Sequence, residues 1–278
     1  MFLKPNDGFV WVQVSGGPAL VCEALGVPHL FTTRSWALGS ASEADRPAAW
    51  DVVGRSLGAD AGHLCRAHQV HGATAIVRRA GDPPCGSQPL AEADIIVSDA
   101  ASRVLAIQTA DCVPLLVADR RTGAVAAAHA GWKGMAAGVP HKTIAALVRE
   151  FGSRPEDLVA VAGPSVGACC YEVGADVREA FTRGGFASDD VERWFFAAPQ
   201  PTDRNPSMPG LPEQSRADHW FFDGWAATRH QLMEGGIPAS QIHSAELCTA
   251  SHPDVLCSYR RDGKGAGRMA GAIRTLRF

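Results

Sequence analysis

The stretch V-L-A-I-Q-T-A-D-C-V-P-L-L-V-A-D-R-R-T-G-A-V-A-A-A-H-A-G-W-K-G, residues 104–134, decides how this chain folds. It contains three short apolar runs, 104–108, 113–117 and 124–128, with turn residues between them. Each run is apolar at nearly every position rather than at every second one. That pattern predicts strands buried on both faces, which need a layer above and a layer below. Pro114 has no N–H for a ladder, so its strand is expected to start there or to lie at a sheet edge.

Working outward, residues 9–14 (F-V-W-V-Q-V) alternate and are rich in β-branched side chains. Residues 29–33 and 94–98 are further short apolar runs. Helical spacing predicts helices over 47–57, 135–151 with Gly152 as a stop, 173–181, and 218–233 ending at Gly235-Gly236. Residues 247–278 return to strand-like patterning around the Gly-rich turn 262–267. Residues 198–216 carry five prolines and little apolar content, which reads as a surface loop. Strands and helices mix without a βαβ rhythm. The expected fold is α+β: a single domain over 1–278 with mixed β-sheets flanked by helices in a layered sandwich.

Composition narrows the function classes. The chain has 278 residues, 46% hydrophobic and 20% charged, with a formal net charge of −3. Bulk charge indicates no nucleic-acid partner. No apolar run reaches the roughly 18 residues of a spanning helix, and the N-terminus lacks a signal peptide's hydrophobic stretch. A cytoplasmic protein with no membrane partner is expected, its oligomeric state left open. In that compartment the eight cysteines read mostly as small buried hydrophobes rather than a disulfide framework. There is no C-x-x-C, so no zinc ribbon is indicated.

Three residues stand at element ends with chemistry to offer: His71 in A-H-Q-V-H-G, Cys112 in T-A-D-C-V-P and His129 in A-A-A-H-A-G-W-K-G. Two imidazoles and a thiolate suit an open zinc site whose fourth position is left for water or substrate. Spacing alone leaves open that each is an isolated, hydrogen-bonded residue. His68 rivals His71, but three residues apart on a strand they point to opposite faces. Asp111 suits either a hydrogen bond to a ligand imidazole or a strand-end cap. Glu172 suits orienting a ligand or capping the following helix. Trp132 suits stacking on a purine or packing in the core. Cys169-Cys170 reads as core packing, because adjacent cysteines bridge only with strain.

The blocks T-A-D-C-V-P-L-L-V-A-D, A-A-A-H-A-G-W-K-G, G-P-S-V-G-A-C-C-Y-E-V (163–173), C-S-Y-R-R-D-G (257–263) and G-R-M-A-G (267–271) follow one another in order. With them the chain resembles the laccase-domain or polyphenol oxidase family, now regarded as purine nucleoside phosphorylases and including the peptidoglycan editing factor. The resemblance implies one metal ion, zinc, held by His71, Cys112 and His129. It implies phosphorolysis of adenosine, inosine and 5′-methylthioadenosine, with adenosine deamination as a related activity. The small-molecule partners are then nucleoside and phosphate. Phosphorolysis needs an anion-binding group beside the ribose. Arg34, Lys133 at a helix N-terminus, and the cluster Arg260, Arg261 and Lys264 are the sequence candidates, Arg34 and Arg261 foremost because both belong to matched family blocks. The chain departs from the family at 35–40, where bulky Trp36 suggests an altered substrate mouth. Lys133 also stands where arginine is common, losing the bidentate fork.

Three other chemistries compete. One is a metal-independent cysteine hydrolase with Cys112 as nucleophile and His129 or His71 as base. Another is an enzyme editing cell-wall precursors. The third is a copper phenol oxidase, or laccase. Ten histidines with no H-x-H pair argue against its copper cofactor.

Overall fold

Leu115 and Val117 face one side of their strand and Leu116 and Ala118 the other, and both sides are sealed from water. The same split divides Ala126 and Ala128 from Val125 and Ala127. This is why the runs in the 104–134 segment are continuously apolar: the strands lie inside a four-layer stack. The computed structural model describes residues 3–40, 46–85, 87 and 89–276.

The strands are β1 (Phe9–Val14), β2 (Gly17–Cys22), β3 (His29–Thr32), β4 (Leu64–Cys65), β5 (Ala75–Arg78), β6 (Ile95–Ser98), β7 (Val104–Thr109), β8 (Val113–Asp119), β9 (Val125–Ala130), β10 (Leu158–Ala162), β11 (Glu172–Gly174), β12 (Phe195–Phe196), β13 (His219–Phe222), β14 (Ile242–Ser244) and β15 (Met269–Arg274). The helices are α1 (Pro47–Ser56), α2 (Trp132–Ala136), α3 (Val139–Phe151), α4 (Ala175–Arg183), α5 (Ser188–Trp194), α6 (Gly224–Glu234) and α7 (Tyr259–Asp262). One six-stranded mixed sheet runs β1-β2-β3-β15-β7-β4 and a second runs β14-β10-β8-β9-β6-β5. A small antiparallel sheet, β11-β13-β12, stands beside them.

Leu20, Phe31, Leu105, Ile107, Met269 and Ile273 of the first sheet meet Ile96, Leu116, Ala127, Val159 and Val161 of the second in one shared core. The outer face of the first sheet packs through Val104, Ala106 and Ala272 on Trp50 and Val53 of α1. The outer face of the second sheet packs on α3 and α6 and on an aromatic knot around Phe181, Trp194, Phe195 and Phe222. The fold is the expected α+β layered sandwich.

Several boundaries differ from the sequence expectation, each for a local reason. The 135–151 helix is two helices, because Gly138 adopts φ +77° and stops α2 before α3 begins. The 173–181 helix starts at 175, after the strand β11. The 218–233 helix is replaced at its start by β13, whose H-W-F-F run favours a strand. There α6 begins after Asp223, whose carboxylate accepts the Trp225 and Ala226 N–H groups. Within the described part of 247–278, only β15 is a strand; Arg277 and Phe278 lie outside the described residues. Pro114 is the second residue of β8, which lies between β10 and β9 rather than at an edge. Cys65 and Cys85 are joined as a disulfide, whereas the sequence reading expected thiols.

Phe181 is fully buried against four other aromatic rings. Phe181→Ala is expected to cost about 3–5 kcal/mol, read as a lower urea midpoint at unchanged m-value.

Candidate metal centre

Turn 110–112 carries the chain from the first sheet to the second, between β7 and β8. Asp111 stands there at φ +89°. Its carboxylate accepts the Thr249 hydroxyl at 2.5 Å and the Arg260 N–H at 2.6 Å. Its carbonyl accepts the Val166 N–H at 3.0 Å. Burial raises the Asp111 pKa against these hydrogen bonds. Asp111 therefore locks the turn that presents Cys112, and it makes no hydrogen bond to a site imidazole.

His129 is the penultimate residue of β9, opposite Pro114 of β8, and is buried. His71 lies in a loop at φ +59°, so the strand geometry assumed for 68–71 does not hold. Both are positioned by Asp94, at the head of β6. The Asp94 carboxylate accepts the backbone N–H groups of Val70 at 3.3 Å, His71 at 3.1 Å and Gly72 at 2.7 Å. It also holds Nδ1 of His129 at 2.8 Å. The Asp94 carbonyl accepts the His129 N–H at 2.8 Å. Asp94 is fully buried, and burial would raise its pKa; the His129 and backbone hydrogen bonds reverse that and lower it.

The result is a convergence. The ligand atoms of His71, Cys112 and His129 lie within 4.8 Å of one another. The two imidazole rings meet edge to face at 4.8 Å. Because Nδ1 of His129 faces Asp94, its Nε2 is the nitrogen turned toward Cys112 and the point where a cation would sit, an orientation that second-sphere carboxylates commonly enforce. Gly131 is required beside them: a Cβ there would stand 2.9 Å from the Cys112 sulfur and 3.0 Å from the His71 ring. Three donors of N, N, S type with a free side fit an open tetrahedral zinc position. A multicopper oxidase needs further copper positions built from several histidines, and among the described residues no other group of potential ligands holds more than one histidine.

The electrostatics agree with a cation site. Burial pushes the Cys112 thiol up, but the His129 charge and hydrogen bonds from His129 and His71 outweigh it and bring the pKa to about 6. Burial pushes His129 down, and Cys112 and Asp94 outweigh it to give about 9. Without a cation, the pair is a thiolate beside an imidazolium.

The three residues form the floor of a cavity of about 810 Å³. Trp132, Tyr171 and Tyr259 give it aromatic lining, and Arg66, Arg260 and Arg268 are its basic residues, the Arg66 guanidinium lying 3.7 Å from the Trp50 ring centre. His68, exposed, also lines it. Gln69 ties the 66–72 loop to β7, donating to the Gln108 carbonyl at 2.8 Å and accepting the Gln108 N–H at 2.7 Å. The Arg260 guanidinium lies 5.0 Å from the Tyr171 ring centre.

Of the basic residues picked from sequence, Arg260 lines this cavity and Arg34, Lys133, Arg261 and Lys264 do not. Arg34 is exposed and donates to the Pro253 carbonyl. Lys133 is exposed, with its ammonium 5.5 Å from the Trp132 ring. Arg261 is a clamp: it donates to the carbonyls of Thr249 and Leu256 and pairs with Asp262. Glu172 orients no site residue, being paired with Arg216 at 2.9 Å. Trp36 is buried in the α1 core and is not among the residues that line the cavity. Asp94 was missed; a carboxylate heading an all-apolar strand was the available signal.

Residues 42–276 match the family model described as multi-copper polyphenol oxidoreductase laccase. A purine nucleoside phosphorylase of Bacteroides thetaiotaomicron is 37% identical over 180 residues, 65% of this chain and 60% of that protein. The chain thus spans under two thirds of that relative's length. One from Streptomyces coelicolor is 33% identical over 80% of this chain and 79% of its own. The crystal structure of the Bacillus licheniformis hypothetical protein YfiH superposes with a TM-score of 0.81 at 25% identity, covering 97% of this chain and all of that one.

Asp94→Asn removes the charge that helps hold the His129 imidazolium. In the metal-free protein the His129 pKa is expected to fall from about 9 and the Cys112 pKa to rise from about 6. Histidine-ring NMR titration and the pH profile of thiol alkylation measure both; unchanged midpoints would contradict this account of Asp94.

Proposed function

Since the chain belongs to the multi-copper polyphenol oxidoreductase laccase family, we propose that it is a zinc-dependent purine nucleoside phosphorylase, acting on adenosine, inosine and 5′-methylthioadenosine, with adenosine deamination as a secondary activity. The relatives' names support the reaction class. The observation that carries the reading is the joining of His71, Cys112 and His129 at the floor of a cavity lined by aromatic and basic residues.

In phosphorolysis a phosphate oxygen bonds to the anomeric carbon as the bond from that carbon to the base nitrogen breaks. The electron pair leaves with the base. The purine is flat and apolar on its faces, which suits Trp132, Tyr171 and Tyr259. Phosphate carries the charge that Arg66, Arg260 and Arg268 would bind by charge-assisted hydrogen bonds. Arg260 lies over Tyr171, so the anion-binding and base-binding walls adjoin. His71, Cys112 and His129 would hold zinc; when bound, it supplies a Lewis acid for charge developing on the base. Asp94 fixes the His129 tautomer.

The thiolate–imidazolium pair backed by Asp94 also favours a second reading, a metal-independent cysteine hydrolase. A dyad needs one imidazole, whereas His71 brings a second to the same point. Activity that survives full chelation and is lost in Cys112→Ser would select the hydrolase.

Zinc-loaded protein given inosine and phosphate is expected to release hypoxanthine and ribose 1-phosphate. No base release at full zinc occupancy would refute the phosphorylase. Arg260→Ala is expected to raise the KM for phosphate at least about tenfold, as for a lost hydrogen bond to a charged group worth ~1.5–3 kcal/mol. Zinc affinity should fall with acidification. Between about 6 and 9 the Cys112–His129 pair holds one proton that the cation must displace, and below about 6 it holds two. Competition with a chromophoric chelator across pH 5–8 checks that steepening.

A further inference from the structure

Cys169, Cys170 and Cys248 play no part in the centre above, and all three are buried. Their sulfurs nonetheless lie within 4.8 Å of one another. The turn after Gly167 makes this possible: its carbonyl accepts the Cys170 N–H at 2.9 Å and the Tyr171 N–H at 3.1 Å, setting two consecutive thiols on one side. Cys248 comes from a distant segment, joined to this one by the Ser165–Cys248 bridge.

Cysteines that merely fill space have no reason to bring three sulfurs to one point, nor to attract N–H donors. Here the Gly167 N–H donates to the Cys248 sulfur at 3.4 Å and the Met208 N–H to the Cys170 sulfur at 3.2 Å. The Ser251 hydroxyl stands 3.5 Å from both the Cys169 and Cys170 sulfurs. Amide donors aimed at sulfur stabilise thiolate charge, which is what a thiolate-bound cation requires. Val166, Ala250, Met208 and Trp225 enclose the group in apolar surface. Three soft donors with no imidazole or carboxylate among them select d10 thiophilic ions over hard ones.

We propose that Cys169, Cys170 and Cys248 form a second metal site, for one thiophilic d10 cation, zinc(II) or copper(I). Binding exchanges thiol protons for the ion: three S–H bonds break, three metal–sulfur bonds form, and the protons pass to water. No oxidant or reductant takes part. The ion cross-links the 165–171 turn to the 247–251 segment, and through the Met208 N–H it steadies the loop over them. Tyr171 and Thr249 border the ligands, so the site braces one wall of the cavity without touching its contents. The proposal holds whichever reaction the His71 centre supports.

The test uses full-length Cys112→Ser, which leaves the His71 centre without sulfur. The reduced, metal-free variant is titrated with cobalt(II) under argon. One equivalent with a sulfur-to-cobalt charge-transfer band is expected. Cys112→Ser/Cys248→Ser and Cys112→Ser/Cys169→Ser should both lose that band while keeping the parent circular dichroism. Bicinchoninate competition after copper(I) loading, set beside zinc retention against EDTA, separates the two ions, and tight binding of either supports the site. A folded Cys112→Ser protein that shows no cobalt–thiolate band and holds neither zinc nor copper(I) overturns the proposal. So does peptide mapping of freshly isolated protein that finds Cys248 in a disulfide with Cys169 or Cys170.

Discussion

The Asp94 carboxylate is a full negative charge with no exposure to solvent, and a buried charge is tolerated only when its oxygens are satisfied. Three consecutive backbone N–H groups, from Val70 to Gly72, and the Nδ1 of His129 satisfy it. This one requirement shapes two separate parts of the chain. It curls the 70–72 loop so that His71 turns toward the second sheet, and it fixes which nitrogen of His129 faces Cys112. Removing the carboxylate would leave the buried His129 ring and three loop N–H groups without their shared acceptor, so the loop cannot relax away at small cost. The site is thus held by the same interaction that closes the end of β6.

Asp111 answers the same demand on the opposite side. The chain must pass between two stacked sheets within three residues, and the half-buried carboxylate at that crossing ties it to Thr249 and to the start of α7. Cys112 follows at once, so its sulfur is aimed by the crossing itself. Two aspartates, Asp94 buried and Asp111 half-buried, therefore determine where three ligand atoms meet. Gly131 supplies the remaining condition, which is space.

His71, Cys112 and His129 were joined through the family resemblance of the blocks that carry them, since spacing alone left each as an isolated residue; the structure brings their ligand atoms together. The layered fold was legible because strands buried on both faces leave continuous apolar runs. What sequence could not resolve is direction. Arg260 and Arg261 are neighbours in α7, yet successive helical residues point about 100° apart. One lines the cavity and the other grips the carbonyls of Thr249 and Leu256. Asp94 and Asp111 are likewise both acids at strand ends, and only tertiary contacts show which one reaches an imidazole. The helix expected over 135–151 failed at Gly138 because apolar spacing runs unbroken through it. Loop 198–216, read as mere surface, sends buried Asn205 inward to the Glu246 carbonyl and the Cys248 N–H.

That inward contact links the cavity to the sulfur triad. Residues 246–250 receive Asn205 on one side and Arg261 on the other. Cys248 from the same segment enters the triad, and Thr249 holds Asp111. A shift of this segment would therefore loosen the Cys112 turn and the Tyr171 wall together, since Tyr171 follows Cys170 directly. Hydrogen bonds to backbone carbonyls resist sliding of the segment only weakly, at about 1 kcal/mol each. Three bonds to one ion would resist it far more, because an ion cannot follow three ligands in different directions. The rigidity demanded of a site built from widely separated residues thus makes a cross-link at the sulfur triad mechanically useful.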